Sequence, residues 1–362
     1  MDKQLFSVIT GSGSYIPTRK VPNSDFLDHT FLDANGQPFE RSNEEIIQKF
    51  EAITGIRERR YADDDILASD MAAEAGQKAL QMASFDPEEL DYIIVAHNFG
   101  DIRVDNLKTD IVPSLASRVK RQLQIKNPSC IAYDLPFGCP GWLQGLIQGN
   151  YYIRSGDAKS VLVIGSETLS RVCDPHDRDS MIYADGAGAV LLEARSSHEP
   201  TGILTHAART DAHPEADYLT MGSSFNSRQN DALYLKMQGR KLYQYALEQV
   251  PGIVKESLDK AGLSVEDISK VLVHQANAKM DEAILKRLLT LYGIDKKPEG
   301  LMPMTISWLG NTSVATIPTM FDLIGRNKMD GHDFDNDEYV VFTSVGAGMN
   351  VNSIVYKIPR ER

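Results

Sequence analysis

Short apolar runs alternate with longer segments of helical periodicity along the whole chain. Residues 92–96 (YIIVA) and 161–164 (VLVI) are apolar throughout, which is typical of strands that are buried on both faces of a sheet. In residues 69–83 and 243–261 the hydrophobic positions recur three and four apart, and this spacing predicts amphipathic helices. Strands that alternate with helices predict an α/β fold in which helices cover parallel sheets.

The order of polar and apolar positions in the first half of the chain returns in the second half. Residues 84–97 and 262–275 both begin with an acidic turn, continue as an apolar strand and end at a polar residue. Both segments follow one of the predicted helices, and single positions correspond, as Phe85 does to Leu263. Self-similarity of this kind indicates a duplicated structural unit.

A second pair of corresponding elements follows the first pair in the same order. Cys139 stands at the start of a predicted helix that leads to an apolar strand. Asn311 stands at the start of a helical run, residues 312–324, that also leads to an apolar strand. Because the two pairs keep the same order, we predict two duplicated halves, residues 1–197 and residues 198–362.

The composition is that of a globular enzyme with a sizeable core, since 42% of the 362 residues are hydrophobic and 24% are charged. The net charge of −12 and the lack of a dense Lys/Arg cluster argue against nucleic acid as a partner. Cys130, Cys139 and Cys173 have no CxxC spacing, so we expect neither disulfides nor zinc but a reducing cytoplasm. We also expect no signal peptide and no membrane span, because the required apolar runs are missing.

Cys139 is the first candidate for chemistry, because it lies between an apolar strand at residues 130–135 and a helix. A thiol in the first turn of a helix faces unpaired backbone N–H groups and the positive end of the helix dipole. We expect this environment to favour the thiolate, which is the reactive form of cysteine. A lone cysteine is more often a buried structural residue, but a histidine and an asparagine stand in matching contexts.

The predicted symmetry places these three residues together. If a pseudo-two-fold axis relates the halves, Cys139 and Asn311 open equivalent helices and approach one another near the middle of the molecule. His274 follows its strand directly, and the carboxyl ends of strands are where α/β sheets bind their ligands. We therefore predict that Cys139, His274 and Asn311 converge on one site.

The chain resembles the thiolase-fold condensing enzymes, and most closely the β-ketoacyl-acyl-carrier-protein synthase III family. Seven motifs carry the resemblance in the order of the family: residues 53–60 (ITGIRERR), 132–139 (AYDLPFGC), 172–178 (VCDPHDR), 184–188 (ADGAG), 274–277 (HQAN), 310–313 (GNTS) and 345–348 (VGAG). Each motif is weak alone, but seven in order are specific. The resemblance implies a homodimer of five-layered αβαβα subunits, with a Cys–His–Asn active site and neither metal nor redox cofactor.

The chemistry that the resemblance implies is decarboxylative Claisen condensation in fatty acid biosynthesis. Cys139 would accept an acyl group from acyl-CoA or from an acyl carrier protein, with the backbone N–H groups of Cys139 and Ala347 as the oxyanion hole. The family usually has glycine at the position of Ala347. His274 and Asn311 would donate hydrogen bonds to the thioester oxygen of a malonyl- or 3-oxoacyl-type partner, and the product would be a 3-oxoacyl thioester.

Further residues match family positions around the substrate tunnel. Asn277 matches the residue that meets the pantetheine arm, and Arg178 matches a residue at the tunnel mouth that contacts the nucleotide or the carrier. Lys279 matches a basic position at which the acyl carrier protein docks. Val112 aligns with the residue that crosses the dimer interface to close the partner's acyl pocket. The alternative for Asn277 is a strand-end residue that satisfies local backbone, for Arg178 and Lys279 a solvated surface residue, and for Val112 an ordinary valine of the dimer core.

The sequence departs from the family at several positions. Lys49 and Ile53 stand where many members have a tryptophan that stacks on the adenine of coenzyme A and an arginine shortly after it. Recognition of coenzyme A is therefore in doubt, and a carrier-bound primer is an alternative. Phe137 and Trp142, beside the nucleophile, are larger than the residues common there, and we predict that both contact the substrate.

Two additional segments, residues 29–43 and residues 100–110, are expected to reshape the tunnel entrance. Gly11 and Gly13 are expected to form a β-turn, because Gly-Ser-Gly is too short for a nucleotide-binding loop.

Three further functions stay open beside that of a synthase that starts fatty acid chains. One is a specialised ketosynthase that joins two acyl chains, as in the formation of dialkylcyclohexanedione precursors of dialkylresorcinols. Another is a non-enzymatic partner subunit, which the presence of Cys139, His274 and Asn311 disfavours. The last is a non-decarboxylating thiolase or hydroxymethylglutaryl synthase. It is disfavoured as well, because it would require a second cysteine base or a glutamate near the nucleophile, and residues 310–313 (GNTS) match the decarboxylating signature.

Overall fold

The structure is a computed structural model that describes residues 4–226, 232–296 and 298–360. Its helices are α1 (Asn43–Thr54), α2 (Ala68–Met82), α3 (Leu115–Gln122), α4 (Gly141–Ser155), α5 (Gly239–Ala261), α6 (Ala278–Leu291), α7 (Ile306–Leu309) and α8 (Thr316–Gly325). Its strands are β1 (Gln4–Tyr15), β2 (Arg19–Pro22), β3 (Glu58–Tyr61), β4 (Tyr92–His97), β5 (Asp101–Arg103), β6 (Asn106–Asp110), β7 (Ile131–Pro136), β8 (Ser160–Thr168), β9 (Asp185–Ser197), β10 (Gly202–Thr210), β11 (Leu219–Ser223), β12 (Leu233–Met237), β13 (Ile268–Val273), β14 (Tyr339–Gly346) and β15 (Asn350–Lys357).

Two sheets with the same strand order form the frame of the molecule. The first sheet has the order β1-β9-β8-β4-β7 and the second has the order β10-β15-β14-β13. In the first sheet β4 is parallel to β8, which is antiparallel to β9, and in the second β13 is parallel to β14, which is antiparallel to β15. The second sheet thus repeats the first without a counterpart of β7, as a duplication predicts.

The sheets are mixed, whereas the alternation of strands and helices predicted parallel ones. β9 is antiparallel to both of its neighbours, β8 and β1. Short 3₁₀ turns at Leu169–Arg171 and Arg178–Ile182 connect β8 to β9, and no crossover helix lies between them. Only a parallel neighbour requires a long crossover, so this connection permits the antiparallel pairing.

Helices and sheets stack in five layers, which confirms the predicted α/β fold class with αβαβα layers. α2 and α3 cover the outer face of the first sheet, and α5 and α6 cover the outer face of the second. α4 and α8 lie between the sheets and contact strands of both. Along the chain, the last strand of the first sheet, β9, ends at Ser197, and the first strand of the second sheet, β10, begins at Gly202. The predicted boundary of the halves falls between these two strands.

Trp142 belongs to the central layer and not to the substrate site. Its side chain is 0% exposed, and its ring packs edge-on against Phe342 of the second sheet at 6.0 Å between centroids. Its Nε1 donates to the backbone oxygen of Val163 in the first sheet at 3.3 Å. The predicted substrate contact of Trp142 is therefore wrong, because this side chain fills the space between the two sheets.

Gly11 and Gly13 lie inside β1, so the predicted β-turn is wrong. A Cβ atom on Gly11 would lie 2.1 Å from the backbone oxygen of Ala79, and one on Gly13 would lie 2.3 Å from that of Ala75. The two glycines therefore let α2 approach the strand more closely than any side chain would permit. The sequence signal for a turn was in fact a signal for close packing.

Other predicted boundaries shift by a few residues. The helical run expected at 312–324 begins with a 3₁₀ turn, Ser313–Ala315, and α8 proper starts at Thr316. Within the described part of the chain, no helix combines the length and the apolar character needed to cross a lipid bilayer.

Asp281 is a buried acid without a partner in α6. The residue is 0% exposed, and neither carboxylate oxygen has a hydrogen-bond partner among the described residues. Its surroundings include Val254, Val271 and Ile284, so the charged form is poorly solvated. Burial, with a smaller contribution from Glu282, raises the pKa of Asp281 well above its usual range.

This burial predicts that Asp281 destabilises the fold increasingly as the pH rises. Above an unfolded-state pKa of about 4, unfolding releases the proton that the folded carboxyl retains, so wild-type stability falls as the pH rises toward the folded-state pKa. Asp281→Leu should raise the free energy of unfolding, and its advantage should grow between pH 5 and pH 8, at most by about 1.4 kcal/mol per pH unit. Urea denaturation at several pH values measures this difference.

Asp281→Asn is the matched control, because it removes the titration and keeps a buried polar side chain. It should flatten the pH dependence with a smaller gain in stability than the leucine variant. A leucine advantage that is the same at pH 5 and at pH 8 would show that Asp281 is charged in the folded protein.

Candidate active site

Cys139 lies in the loop between β7 and α4, on the wall of a cavity of about 1570 Å³. The same cavity is lined by His274 and Asn311 from the second half, and by Ala347. The structure therefore brings together the residues that the symmetry argument predicted to converge. They come from two sheets, so neither half forms this site alone.

A close backbone contact between the halves positions Cys139. A Cβ atom on Gly346 would lie only 2.5 Å from the backbone nitrogen of Cys139, so the residue at this position must be glycine. The next residue, Ala347, thereby lies beside the Cys139 loop. Ala347 is not in the left-handed region, unlike Gly348 (φ 74°) and Met349 (φ 53°), so alanine is accommodated there without backbone strain.

His274 follows β13 directly and is buried. Its backbone N–H donates to the oxygen of Thr343 in β14 at 2.9 Å, which extends the parallel pairing by one residue and fixes the position of the ring. Burial lowers the pKa of His274 to about 4, against an opposing hydrogen bond with the Ser313 backbone. The imidazole is therefore neutral at physiological pH and can donate a hydrogen bond without carrying a charge.

Asn311 is buried and bridges to Tyr183 in the manner of a parallel strand pair. Its side-chain Oδ1 accepts a hydrogen bond from the backbone N–H of Ser313 at 2.8 Å. This bond orients the carboxamide and leaves the side-chain NH2 group of Asn311 to donate to a ligand.

Ser313 is a site residue that sequence reasoning missed. Its backbone N–H donates to Asn311, and it lines the same cavity as His274 and Cys139. Hydrogen bonding by the Ser313 backbone raises the pKa of His274, and hydrogen bonding by its side chain lowers the pKa of Cys139. It adopts φ 51°, a left-handed conformation that is uncommon for a residue with a side chain. The motif at residues 310–313 contained the signal, but only its asparagine was considered.

Burial keeps the thiol of Cys139 protonated at neutral pH, contrary to our expectation of a favoured thiolate. Burial raises the pKa of Cys139 to about 11, although hydrogen bonds from the Ser313 side chain and from its own backbone lower it. The nearby carboxyl of Glu167 raises it further. Loss of hydration at the bottom of the cavity thus outweighs the favourable start of the helix.

Of the predicted pantetheine and carrier residues, Asn277 and Arg178 line the same cavity and Lys279 does not. Asn277 lines it and also caps α6, since its Oδ1 accepts from the backbone N–H of Met280 at 3.1 Å. Lys279 is exposed in the first turn of α6. Arg178 lines the cavity, and its guanidinium carbon lies 5.0 Å from the centroid of the Phe39 ring.

Two other predicted substrate residues do not line this cavity. Phe137 is partly buried in the loop before Cys139, and Val112, 84% exposed, precedes α3. The predicted contact of Phe137 with substrate is not supported, because its side chain lies outside the cavity wall. Val112 was predicted to act in a partner subunit, so its exposed position leaves that prediction open.

The additional segments have different roles. Asp33, Pro38 and Phe39 of segment 29–43 line the cavity, so this segment does shape it. Segment 100–110 forms the β5–β6 hairpin, and none of its residues, all of which the structure describes, lines the cavity. The prediction that this second segment reshapes the entrance is wrong. Across the described residues, no group of three His, Cys, Asp or Glu side chains could hold a metal ion.

Comparison with known proteins gives consistent matches over both halves. The family model of 3-oxoacyl-[acyl-carrier-protein] synthase III matches residues 133–212, and the model of its C-terminal part matches residues 258–358. The chain is 30% identical to 3-oxoacyl-[acyl-carrier-protein] synthase III from Aquifex aeolicus VF5, covering 97% of this chain and 99% of that chain with a TM-score of 0.78.

Two further structures are similar over nearly their whole length. The 3-oxoacyl-(acyl carrier protein) synthase III from Pseudomonas aeruginosa PAO1 is 27% identical, with 98% of each chain covered and a TM-score of 0.80. The priming β-ketosynthase from the R1128 polyketide biosynthetic pathway is also 27% identical, with 99% of this chain and 97% of that chain covered and a TM-score of 0.80.

The raised pKa predicts how the thiol of Cys139 reacts with an alkylating agent. Because only the thiolate reacts, the rate of iodoacetamide labelling should rise about tenfold per pH unit between pH 7 and pH 9. Intact-protein mass spectrometry follows the labelling. Cys139→Ser is the control for Cys130 and Cys173, whose pKa values are also raised by burial. A rate that levels off below pH 8 would mean that the thiolate already dominates.

Proposed function

Because this chain belongs to the 3-oxoacyl-[acyl-carrier-protein] synthase III family, we propose that Cys139, His274 and Asn311 carry out its decarboxylative Claisen condensation. The chain is a ketosynthase, an acyltransferase of the kind that serves fatty acid biosynthesis. The observation that carries the assignment of residues is that all three line one cavity, at the contact between the halves.

In the first step Cys139 accepts the acyl group. Its sulfur attacks the thioester carbonyl, a new carbon–sulfur bond forms, and the bond to the carrier sulfur breaks. The proton of the Cys139 thiol ends on the departing carrier thiol, so the step is neutral overall. The backbone N–H groups of Cys139 and Ala347 stabilise the oxyanion of the tetrahedral intermediate. The close approach of Gly346 to the Cys139 backbone, and of Gly138 to that of Ala347, supports this assignment.

In the second step a malonyl thioester condenses with the acyl group. Carbon dioxide leaves, and the electron pair of the broken bond forms an enolate whose oxygen accepts hydrogen bonds from His274 and Asn311. The enolate carbon attacks the acyl carbonyl, the bond to Cys139 breaks, and the sulfur regains a proton. A neutral imidazole and an oriented carboxamide suit this role, since both donate without a charge of their own.

We propose that the primer is delivered on an acyl carrier protein rather than on coenzyme A. The guanidinium carbon of Arg178, at the cavity wall, lies 5.0 Å from the centroid of the Phe39 ring, so the protein itself already contacts one side of this group. Lys49 and Ile53, which replace the expected aromatic and basic residues, line the same region. Lys279 offers an exposed positive charge to an acidic carrier.

We propose a homodimer that forms through the face bearing Val112. Ile111 and Val112 are exposed apolar neighbours, and Ile131 on the edge strand β7 is also exposed. An exposed edge strand with apolar neighbours is a surface that proteins normally cover. The cysteines, all free, suit a reducing compartment such as the cytoplasm.

A second candidate function is the joining of two acyl chains by a specialised ketosynthase. The observation that favours it is the cavity of about 1570 Å³, which exceeds the roughly 300–1,000 Å³ that suffices for an ordinary ligand. Such a volume has room for a long acyl chain besides the carrier arm. The length of the acyl group that loads onto Cys139 distinguishes the two functions.

The roles of the three residues predict separable losses. Wild type should form an acyl adduct with a suitable thioester, and Cys139→Ser should form none, as measured by intact-protein mass spectrometry. His274→Ala and Asn311→Ala should still become acylated, but their release of carbon dioxide from a malonyl thioester should fall by about 10²–10³, since each loses a donor to the enolate. Wild-type decarboxylation in either variant, or no adduct from any donor, would refute the assignment.

The Phe39–Arg178 contact predicts the choice of donor. With the same acyl chain, kcat/KM should be higher for the carrier thioester than for the CoA thioester, and Phe39→Ala should improve use of CoA by about tenfold by freeing the guanidinium. Phe39→Leu keeps an apolar side chain but removes the ring. It therefore distinguishes the loss of the ring–guanidinium contact from the mere gain of space in the cavity. Equal use of both donors by wild type would contradict the proposal. Loading of long chains only would favour the second candidate function.

A further inference from the structure

A buried carboxyl lies behind the nucleophile and has no role in the chemistry described so far. Glu167 is in β8 and is only 1% exposed. Its Oε1 accepts two hydrogen bonds from Asn98, one from the backbone N–H at 2.9 Å and one from the side-chain amide. Burial raises the pKa of Glu167 to about 8. The proton that it carries at neutral pH therefore resides on Oε2, because Oε1 accepts twice.

The side-chain amide of Asn98 links Glu167 to Ser313 through hydrogen bonds. The Nδ2 atom of Asn98 has two hydrogens, and it donates one to Glu167 and the other to the Oγ of Ser313 at 3.0 Å. The backbone N–H of Asn98 donates to the same Glu167 oxygen, so a flipped amide would set two acceptors against each other. The orientation of Asn98 is thereby fixed, and Ser313 accepts from it.

The hydroxyl of Ser313 is consequently directed at sulfur. Once Oγ accepts from Asn98, its own hydrogen is available for the thiol of Cys139, which lines the same cavity. The Ser313 side chain accordingly lowers the pKa of Cys139. Ser313 is held in a left-handed conformation, φ 51°, at a buried position. Strained backbone that is retained in a buried site is commonly tied to function.

We propose that Glu167 and Asn98 are positioning residues that polarise Ser313, so that its hydroxyl donates a hydrogen bond to the sulfur of Cys139 whenever that sulfur is negative. In the proposed function this occurs when Cys139 attacks the primer and when it is expelled after condensation. The donor offsets part of the burial that disfavours the thiolate. The inference rests on the proposed function for its place in the cycle, but not for its effect on the thiol.

The test measures the reactivity of the thiol directly and requires no substrate. Ser313→Ala and Ser313→Gly both remove the hydroxyl, and glycine also relieves the left-handed backbone. Both should slow iodoacetamide labelling of Cys139 at pH 8 by roughly tenfold, the effect expected for the loss of one hydrogen bond to a charged atom. Wild-type labelling in either variant, with the fold intact by circular dichroism, overturns the proposal.

Glu167 supplies a matched pair of variants. Glu167→Gln keeps an oxygen that can accept from Asn98, whereas Glu167→Leu does not, so the leucine variant should lose labelling rate and the glutamine variant should lose much less. Because the Glu167 charge raises the thiol pKa, glutamine should also steepen the rise in labelling rate above pH 8. The other charged group acting on Glu167, Asp185, is unchanged in both variants. Equal losses in the two variants would assign Glu167 a merely structural role.

The outcome is independent of the proposed function. If no thioester acylates Cys139 but the variants slow labelling as expected, the hydrogen-bond chain stands and the ketosynthase roles fail. If acylation proceeds normally and the Ser313 variants label like wild type, only the proposed hydrogen bonding from Glu167 through Asn98 and Ser313 to Cys139 fails.

Discussion

The contact between two backbone loops, one from each half of the chain, is the constraint on which the site depends. Gly346 leaves no space for even one carbon atom between itself and the backbone of Cys139. This contact, with the close approach of Gly138 to the backbone of Ala347, sets the distance between the ends of β7 and β14. The position of His274 depends on this contact as well, because its backbone N–H donates a hydrogen bond to the oxygen of Thr343 in β14. A displacement of one loop would therefore misplace Cys139, Ala347 and His274 together, which are the proposed nucleophile, part of the proposed oxyanion hole and one proposed hydrogen-bond donor.

Burial then sets the protonation states around this contact. His274, with a pKa of about 4, Cys139, with a pKa of about 11, and Glu167, with a pKa of about 8, are all predominantly uncharged at neutral pH. A malonyl carboxylate that enters such a site exchanges its hydration for neutral donors, and its loss as carbon dioxide removes a poorly solvated charge. In the proposed mechanism, low polarity thus favours the decarboxylation that drives carbon–carbon bond formation.

The sequence predicted features that repeat or have a fixed period, and it failed where contact distances decide. The duplication and the convergence of Cys139, His274 and Asn311 followed from the order of elements, because symmetry relates distant residues, whereas the five layers were implied by the family resemblance. The core position of Trp142 and the close packing at Gly11 could not be predicted from the sequence. A large or a small residue produces the same sequence pattern in a binding site as in a core. Glu167 and Asn98 were missed because a single buried acid and a single amide have no periodicity.

The central layer has a consequence for the autonomy of the two halves. α4 of the first half also packs on β14 and β15, and α8 of the second half also packs on β1 and β9. Each half therefore contributes one helix to a layer that the other half needs to cover its own sheet. A chain cut between Ser197 and Gly202 would give two fragments, each with a bare apolar sheet face, rather than two domains. The molecule is accordingly one cooperative unit, and its fragments would regain a core only by reassociating with each other.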